Sequence, residues 1–275
     1  ERVFLAAGVV NQKIYVIGGL AADRKVLAAV EEYNPFTNKW TKKAEMPIGR
    51  LLPKSASVVN GKIYVIGGAT GSRGPAVTFV EEYDPVTDTW TKKADLPAKR
   101  WGSSTSVVNG KIYVIGGFPN GGEPISTVEE YDPATDKWRK KANMLTAKAL
   151  HSTTVVNGKI YVIGGAISRW YSSKTVEQYD PATDTWTQKA DMPTARLALS
   201  TDVVNGKIYA IGGLSTPGGP VATVEEYDPV TDKWTQKADM PIARFGLVTA
   251  TVNGKIYAIG GAPGLSTVEE YTPEG

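Results

Sequence analysis

Six cations at equivalent positions are the residues of this sequence best placed to act together in chemistry. One stands in each of six repeats, just ahead of a segment of small and apolar residues: Arg2, Arg50, Arg100, Lys148, Arg196 and Arg244. Guanidinium groups bind carboxylate, sulfate and phosphate groups through paired hydrogen bonds. The spacing therefore predicts a basic ring that binds an anionic ligand.

Polar residues close to these cations support a second interpretation. A carboxylate, or in one repeat an amide, lies five positions ahead of each of the last five cations: Glu45, Asp95, Asn143, Asp191 and Asp239. Repeated ion pairs can hold loops together and imitate a binding site. At the level of sequence, a ligand site and a set of loop staples both remain open.

Residues without a counterpart in the other repeats are further candidates for ligand contact. They are Trp101, Phe245, Trp170 and Tyr171, with Arg169 next to the last pair. Trp, Tyr and Arg are enriched at binding hot spots. His151, the only histidine, is included with them, although a lone His more often has a structural role.

A nine-residue segment, NGKIYVIGG at Asn109–Gly117, is one of six similar copies in the sequence. The repeat that contains it sets the positions of all of these residues. In the second repeat, the sequence predicts four strands, labelled A to D: Ala56–Asn60, Lys62–Ile66, Val80–Tyr83 and Trp90–Ala94. Asn-Gly between strands A and B favours a type I′ hairpin, and Asp-Pro between strands C and D favours a turn. Each repeat is therefore predicted to form one antiparallel sheet.

Six such sheets predict an all-β, six-bladed propeller with four antiparallel strands per blade. The blades cover approximately residues 1–47, 48–97, 98–145, 146–193, 194–241 and 242–275 of a single domain. Strand A, with its small residues, is expected nearest the axis. No Trp-led strand D follows Tyr271, so the sixth blade is expected to lack its outer strand.

The loops divide between two faces of this propeller. The A–B and C–D turns hardly vary between repeats, whereas the B–C and D–A loops vary in length and composition. The latter lie together on what is called here the loop face, which carries the six cations. Variable loops on a fixed scaffold are where binding usually occurs.

The composition argues against several classes of partner and cofactor. The chain has a net charge of +3, 21% charged residues and no Cys. This small excess of positive charge does not argue for a nucleic-acid partner, and no apolar run is long enough to cross a membrane. Without Cys or a second His, no metal or other cofactor is expected. We expect a monomer.

Two glycines after an apolar strand, then a Tyr, then a Trp about seven residues later, resemble the kelch repeat. The resemblance covers nearly the whole chain and implies a β-propeller. Galactose-oxidase-like kelch enzymes require a Cys–Tyr cross-link, which this sequence cannot form. Kelch-type sialic acid epimerases remain an enzyme alternative, with Glu123, Asp202 or His151 as proton shuttles.

The leading prediction is a non-catalytic module that binds an acidic peptide, a protein partner or an anionic glycan on the loop face. The predicted module resembles the kelch domains of ubiquitin-ligase adaptors, which bind acidic peptides. A different alternative is an engineered or recently duplicated scaffold without an evolved ligand, which the near-identity of the repeats favours. The epimerase-like enzyme is the third alternative.

Overall fold

Asn-Gly turns and β-branched strands fold each repeat into one antiparallel sheet in the computed structural model, which describes residues 1–51, 56–71, 74–120, 122–168 and 171–273. Five sheets have four strands in the order A-B-C-D, and the sixth has three. This arrangement confirms the predicted all-β, six-bladed propeller. Within the described ranges, no helix is long and apolar enough to span a membrane.

The strands have nearly the same bounds in every blade. Strands A are Ala6–Val10, Ala56–Val59, Ser104–Val108, Ser152–Val156, Ser200–Val204 and Val248–Val252. Strands B are Lys13–Ile17, Lys62–Ile66, Lys111–Ile115, Lys159–Ile163, Lys207–Ile211 and Lys255–Ile259. Strands C are Val30–Asn34, Val80–Asp84, Val128–Asp132, Val176–Asp180, Val224–Asp228 and Val268–Tyr271. Strands D are Lys39–Lys43, Thr89–Lys92, Lys137–Lys141, Thr185–Lys189 and Lys233–Gln236.

Three short strand pairs lie on the loop face among the described residues. In the first blade, Arg2–Val3 pairs with Leu20–Ala21. In the fourth and fifth blades the B–C loop forms a small hairpin of its own, Ala166–Ser168 with Tyr171–Ser172 and Leu214–Ser215 with Gly219–Pro220. The variable loops are therefore ordered partly by their own hydrogen bonds.

The six sheets close into a ring around a central axis. Each strand A contacts the strands A of both neighbouring blades, including those of the first and sixth blades. A separate apolar core fills each junction between blades, which is called a seam here. At the first seam, for example, Tyr15 of the first blade packs against Tyr83 of the second with ring centroids 6.0 Å apart. The repeated Tyr residues are therefore packing residues between blades.

Two hydrogen bonds clip the outer strands together at four of the seams. Trp90 Nε1 donates to the carbonyl oxygen of Ala44 at 2.9 Å, and the Ala44 amide donates to Asp88 Oδ1 at 2.9 Å. The next three seams repeat this clip at Ala94, Ala142 and Ala190. The Trp at the start of strand D thus joins two blades at each of these four seams.

The sixth blade ends at its third strand within the described residues, as expected from the sequence. Its sheet consists of Val248–Val252, Lys255–Ile259 and Val268–Tyr271. Within the part of the chain that the structure describes, the two seams beside this blade show no Trp–Asp clip. The ring is closed at its centre by contacts between strands A.

Candidate functional site

The predicted ring cations are buried and paired with glutamates of strand C. Arg100 Nη2 lies 2.8 Å from Glu129 Oε1, and Arg196 Nη2 lies 2.6 Å from Glu225 Oε2. The same pairing joins Lys148 to Glu177 at 2.9 Å, and it also joins the remaining three pairs: Arg2–Glu31, Arg50–Glu81 and Arg244–Glu269. Five of the six cations are at most 1% exposed: Arg50, Arg100, Lys148, Arg196 and Arg244. Burial lowers the pKa of Lys148 and of Arg196 because their charged forms lose water.

Each ring cation also fastens two B–C loops. The Arg196 guanidinium donates to the carbonyl oxygens of Gly212 at 2.8 Å and Thr223 at 2.9 Å, at the two ends of its own blade's loop. The Arg196 carbonyl accepts the amide of Gly165 in the preceding blade at 2.8 Å. This backbone bond recurs at all six seams. The cations are therefore staples that set the positions of the loops.

Glycine is required where these staples meet the double-glycine bends. Gly116 has a φ of +60°, and a Cβ placed there would lie 2.3 Å from the Lys148 carbonyl oxygen. A side chain would both strain the backbone and push the staple away. The backbone of the staple residue thus approaches these glycines too closely for a Cβ.

These contacts correct the expectation of a solvent-facing basic ring. Desolvated cations that already hold a carboxylate and carbonyl oxygens do not face solvent at the centre of the loop face. The stapling interpretation agrees with the structure, but its acids are wrong: the partners are strand C glutamates, not the residues five positions ahead. Ligand contact by the six cations remains a prediction, and it would require these ion pairs to open.

Apolar residues occupy the centre of the loop face. The cluster, called the apolar centre here, draws residues from all six blades: Phe4, Leu20, Val26, Leu51, Ala69, Trp101, Phe118, Ala149, Leu150, Ala166, Leu197, Ala198, Leu214 and Phe245. Trp101 lies against Phe118 with ring centroids 4.7 Å apart, and Phe245 lies edge-on to Phe4 at 5.9 Å. Phe4, Trp101 and Phe245 are half-buried, so each offers part of its ring to solvent.

A chain of backbone hydrogen bonds runs around the axis within the apolar centre. Leu150 donates to Gly102 at 2.7 Å, Ala198 to Leu150 at 2.8 Å, Gly246 to Ala198 at 2.8 Å, and Phe4 to Gly246 at 2.8 Å. All five residues have φ between +52° and +66°. Each stands two positions after a ring cation, so the buried staples hold the chain in register. Sequence reasoning missed these residues because they share no residue type.

The remaining candidates lie at different depths. Tyr171 is 68% exposed on the hairpin of the fourth blade, and it is available at the rim of the loop face. Arg169 and Trp170 lie outside the described residues. His151 is buried at the point where the fifth and sixth blades have Leu199 and Leu247.

The proton-shuttle candidates also lie in separate environments. Glu123 is exposed in a B–C loop, His151 is buried in the core, and Asp202 lies on the innermost strand of the fifth blade. Burial raises the pKa of Asp202 to about 6, against the hydrogen bond that the Val203 amide donates to Asp202 Oδ1 at 2.9 Å, which lowers it. The described part of the chain contains no group of three or more His, Cys, Asp or Glu side chains arranged to hold a metal ion.

Comparison with known proteins agrees with this architecture. The family profile of the KLHDC2/KLHL20/DRC7 kelch-repeats domain matches residues 1–165 and, in an overlapping alignment, residues 53–261. The chain belongs to the kelch-repeat family. The kelch propeller also resembles a solved structure described as the structure of YjhT, with a TM-score of 0.84 and 19% sequence identity over 98% of this chain and 93% of that chain. A search of curated proteins found no match.

Membership of the kelch-repeat family indicates a general kind of function, but it does not identify a specific ligand or partner. Kelch propellers generally bind proteins, and most are not enzymes. The resemblance to the YjhT structure is a likeness of fold alone at this level of identity. Any more specific function must be argued from the loop face.

Proposed function

We propose that this kelch propeller is a non-catalytic module that binds a peptide segment of a partner protein across the apolar centre of the loop face. The observation that carries the proposal is the half-buried set Phe4, Trp101 and Phe245 on a backbone held by buried staples. Aromatic side chains on a rigid base lose little entropy on binding, and they form hot spots more often than other residues.

The rim of the loop face adds contacts that differ from blade to blade. Tyr171 is 68% exposed and Ile167 is 46% exposed, and both belong to the hairpin of the fourth blade. Variation at the rim around a fixed centre is how a repeat scaffold becomes selective for one partner. This supports a peptide ligand, which can place apolar side chains at the centre and polar groups at the rim.

The charges available at the rim are mixed in sign. The loop face exposes cations and acids close together: Arg24, Lys25, Lys99 and Lys174 among Asp23, Asp95, Asp191 and Asp239. With the ring cations buried, the charges among the described residues of this face do not form a field of one sign. A partner peptide is therefore favoured over a densely anionic glycan, and binding should depend only weakly on salt.

Peptide and glycan arrays at two salt concentrations test the proposal. We expect peptide ligands whose affinity falls at least about tenfold in Trp101→Ala and in Phe245→Ala, as for truncated hot-spot aromatics. Phe36→Ala is the matched control, because Phe36 is 63% exposed in a C–D turn away from the loop face. Binding that survives both loop-face substitutions contradicts the proposal. So does salt-sensitive glycan binding, which would favour the anionic ligand, and silence on both arrays would favour an unliganded scaffold.

A further inference from the structure

The tips of the six A–B hairpins lie on the face of the propeller opposite the loop face. Five of these tips consist of an Asn followed by a Gly, whereas the first consists of Asn11 followed by Gln12. The five residues before a Gly, called the tip asparagines here, are Asn60, Asn109, Asn157, Asn205 and Asn253. They and Asn11 are all exposed, with φ of 49° or 50°. The same turn therefore presents an Asn side chain to water five times beside a Gly, and once beside a residue with a side chain.

The space around the Gly of each tip is open. These residues are Gly61, Gly110, Gly158, Gly206 and Gly254. A Cβ placed on any of them would meet no atom of the described residues within 4 Å beyond its chain neighbours. In a type I′ turn the strand ladder leaves the amide of the second central residue unused. The nitrogen that follows each tip asparagine is therefore reached by water and crowded by nothing.

This arrangement allows the backbone to react with the Asn side chain. Hydroxide removes the proton of the Gly amide, and the Gly nitrogen attacks Cγ of the Asn carboxamide. The new N–Cγ bond closes a succinimide ring, while the bond between Cγ and Nδ2 breaks and ammonia leaves with a proton from water. Water then opens the ring: cleavage of the N–Cγ bond gives Asp, and cleavage of the original peptide bond gives isoaspartate. A Gly is favoured at the next position because a Cβ there hinders the attacking nitrogen.

We propose that the five tip asparagines are sites of spontaneous deamidation in the folded protein. Each conversion adds one negative charge to this face, and conversion of all five reverses the sign of the net charge, which is +3. Isoaspartate also adds a main-chain atom to a two-residue turn, which no longer fits the type I′ geometry that the paired strands require. This face lies opposite the loop face, so the reaction does not depend on the function proposed above.

Two other Asn residues of the chain serve as comparisons. Asn11 has the same φ and the same exposure as the tip asparagines, but Gln12 follows it. Asn120 is also followed by a Gly in the sequence, but it lies in a B–C loop, and its Oδ1 accepts the Ala76 amide at 2.7 Å. That bond holds the carboxamide in place. Asn11 thus isolates the effect of the Gly, and Asn120 isolates the effect of the free side chain at an exposed turn.

Peptide mass spectrometry of the folded protein during incubation at pH 7 and pH 9 tests the proposal. Each conversion raises the mass of its peptide by about 1 Da, and fragmentation distinguishes Asp from isoaspartate. We expect conversion at the tip asparagines to be at least about tenfold faster than at Asn11 and at Asn120, and faster at the higher pH. A sample digested without incubation corrects for conversion during digestion.

Two matched variants exchange the turns of the chain. Gly110→Gln gives the third repeat the turn of the first, so it should stop conversion of Asn109 and leave that of Asn60 unchanged. Gln12→Gly gives the first repeat the turn of the others, so it should make Asn11 convert as they do. Gln12 has φ of 62° and Gly110 has φ of 72°, so each replacement suits the backbone it enters.

Three results would overturn the inference. The first is a folded protein whose tip asparagines stay intact while the same peptides convert after digestion, since the turn then protects them. The second is equal conversion of Asn11 and the tip asparagines in the parent protein, with no response to Gln12→Gly. The third is conversion of Asn120 as fast as that of the tips, which would remove the role of the exposed turn.

Discussion

At the scale of single residues, each blade of this propeller contains an ion pair between a ring cation and a strand C glutamate. Arg196 and Glu225 are both fully buried and lie 2.6 Å apart. Mutual attraction in such a pair does little more than offset the cost of taking both charges out of water. The pair therefore acts mainly by fixing the structure, since Arg196 holds both ends of the B–C loop of the fifth blade.

Removing one partner of this pair should be costly. Arg196→Met leaves Glu225 charged and buried, so the free energy of unfolding should fall by about 3–5 kcal/mol. Chemical denaturation monitored by Trp fluorescence measures the change. Arg24→Met, at an exposed loop position, is the control, and it should stay within about 0.5 kcal/mol of the parent. A similar effect of the two substitutions would contradict the staple interpretation.

Asp202 should give stability a pH dependence of the opposite sign to an ordinary surface carboxylate. Its folded-state pKa is raised to about 6, so the protonated form is favoured on folding. Its unfavourable contribution grows as pH rises above about 4, the value in an unfolded chain, and is complete above about 6. Asp202→Asn removes that contribution, and it should stabilise the protein at pH 7 by up to about 3 kcal/mol.

Melting temperatures of Asp202→Asn and the parent between pH 4 and pH 8 test this prediction. The gap between the two proteins should be small at pH 4 and should widen up to about pH 6. Glu123→Gln serves as the control, because Glu123 is exposed and should give no such gap. A constant gap at all pH values would show that the Asn substitution acts through packing and not through charge.

At the scale of elements, each blade is a self-contained sheet whose hydrophobic faces are covered by its neighbours. The Trp–Asp clip makes this packing directional, because the Trp donor and the Asp acceptor come from one blade and the alanine backbone that they hold comes from the preceding blade. At the second seam, Trp138 Nε1 lies 3.0 Å from the Ala94 carbonyl oxygen, and the Ala94 amide lies 2.8 Å from Asp136 Oδ1.

The open seam provides an internal control for the value of the clip. Trp138→Phe keeps an aromatic ring but removes the donor to Ala94, so it should cost about 0.5–1.5 kcal/mol more than Trp40→Phe. Trp40 has no clip within the described residues, and its substitution should change packing only. Equilibrium unfolding of the two variants makes the comparison. If both lose the same stability, the indole hydrogen bond does not contribute to seam strength.

At the scale of the whole molecule, stability is shared among blades and is weakest where the ring lacks cover. Repeat proteins derive much of their stability from contacts between neighbours. Strand A of the sixth blade contacts strand A of both neighbours, and no Trp–Asp clip lies at the outer edge of this blade among the described residues. Opening of the ring should therefore begin there, with the strands nearest the axis remaining paired longest.

Hydrogen exchange measured by mass spectrometry tests this order of opening. Amides of Val268–Tyr271 should exchange faster than those of Val224–Asp228, the equivalent strand of the fifth blade, because the latter is covered by Lys233–Gln236. Amides of strands A should be the slowest. Equal protection of the two strands C would mean that the outer strand does not determine local opening.

Much of the architecture could be predicted because the same short turn and strand motifs recur in each repeat. Asn60 and Gly61 have φ of 50° and 75°, as a type I′ turn requires, and the same turn follows strand A in every blade. Tyr83 and Trp90 lie at the seam because both recur at a fixed distance from the turn. These features depend on a few neighbouring residues, so they can be read directly from the order of amino acids.

The sequence by itself therefore determined the number of blades, the order of their strands and the turns between them. Only the tertiary structure decided what the equivalent cations do. Periodicity shows that Arg100 and Arg196 occupy the same environment, but it does not show whether that environment is solvent or core. The partners Glu129 and Glu225 stand 29 residues further along the chain, and they reach the cations only after strand C has folded back. The ring cations become buried only when the six blades have closed into a ring. They then hold the loops of the loop face in position, and they do not form its solvent-exposed surface.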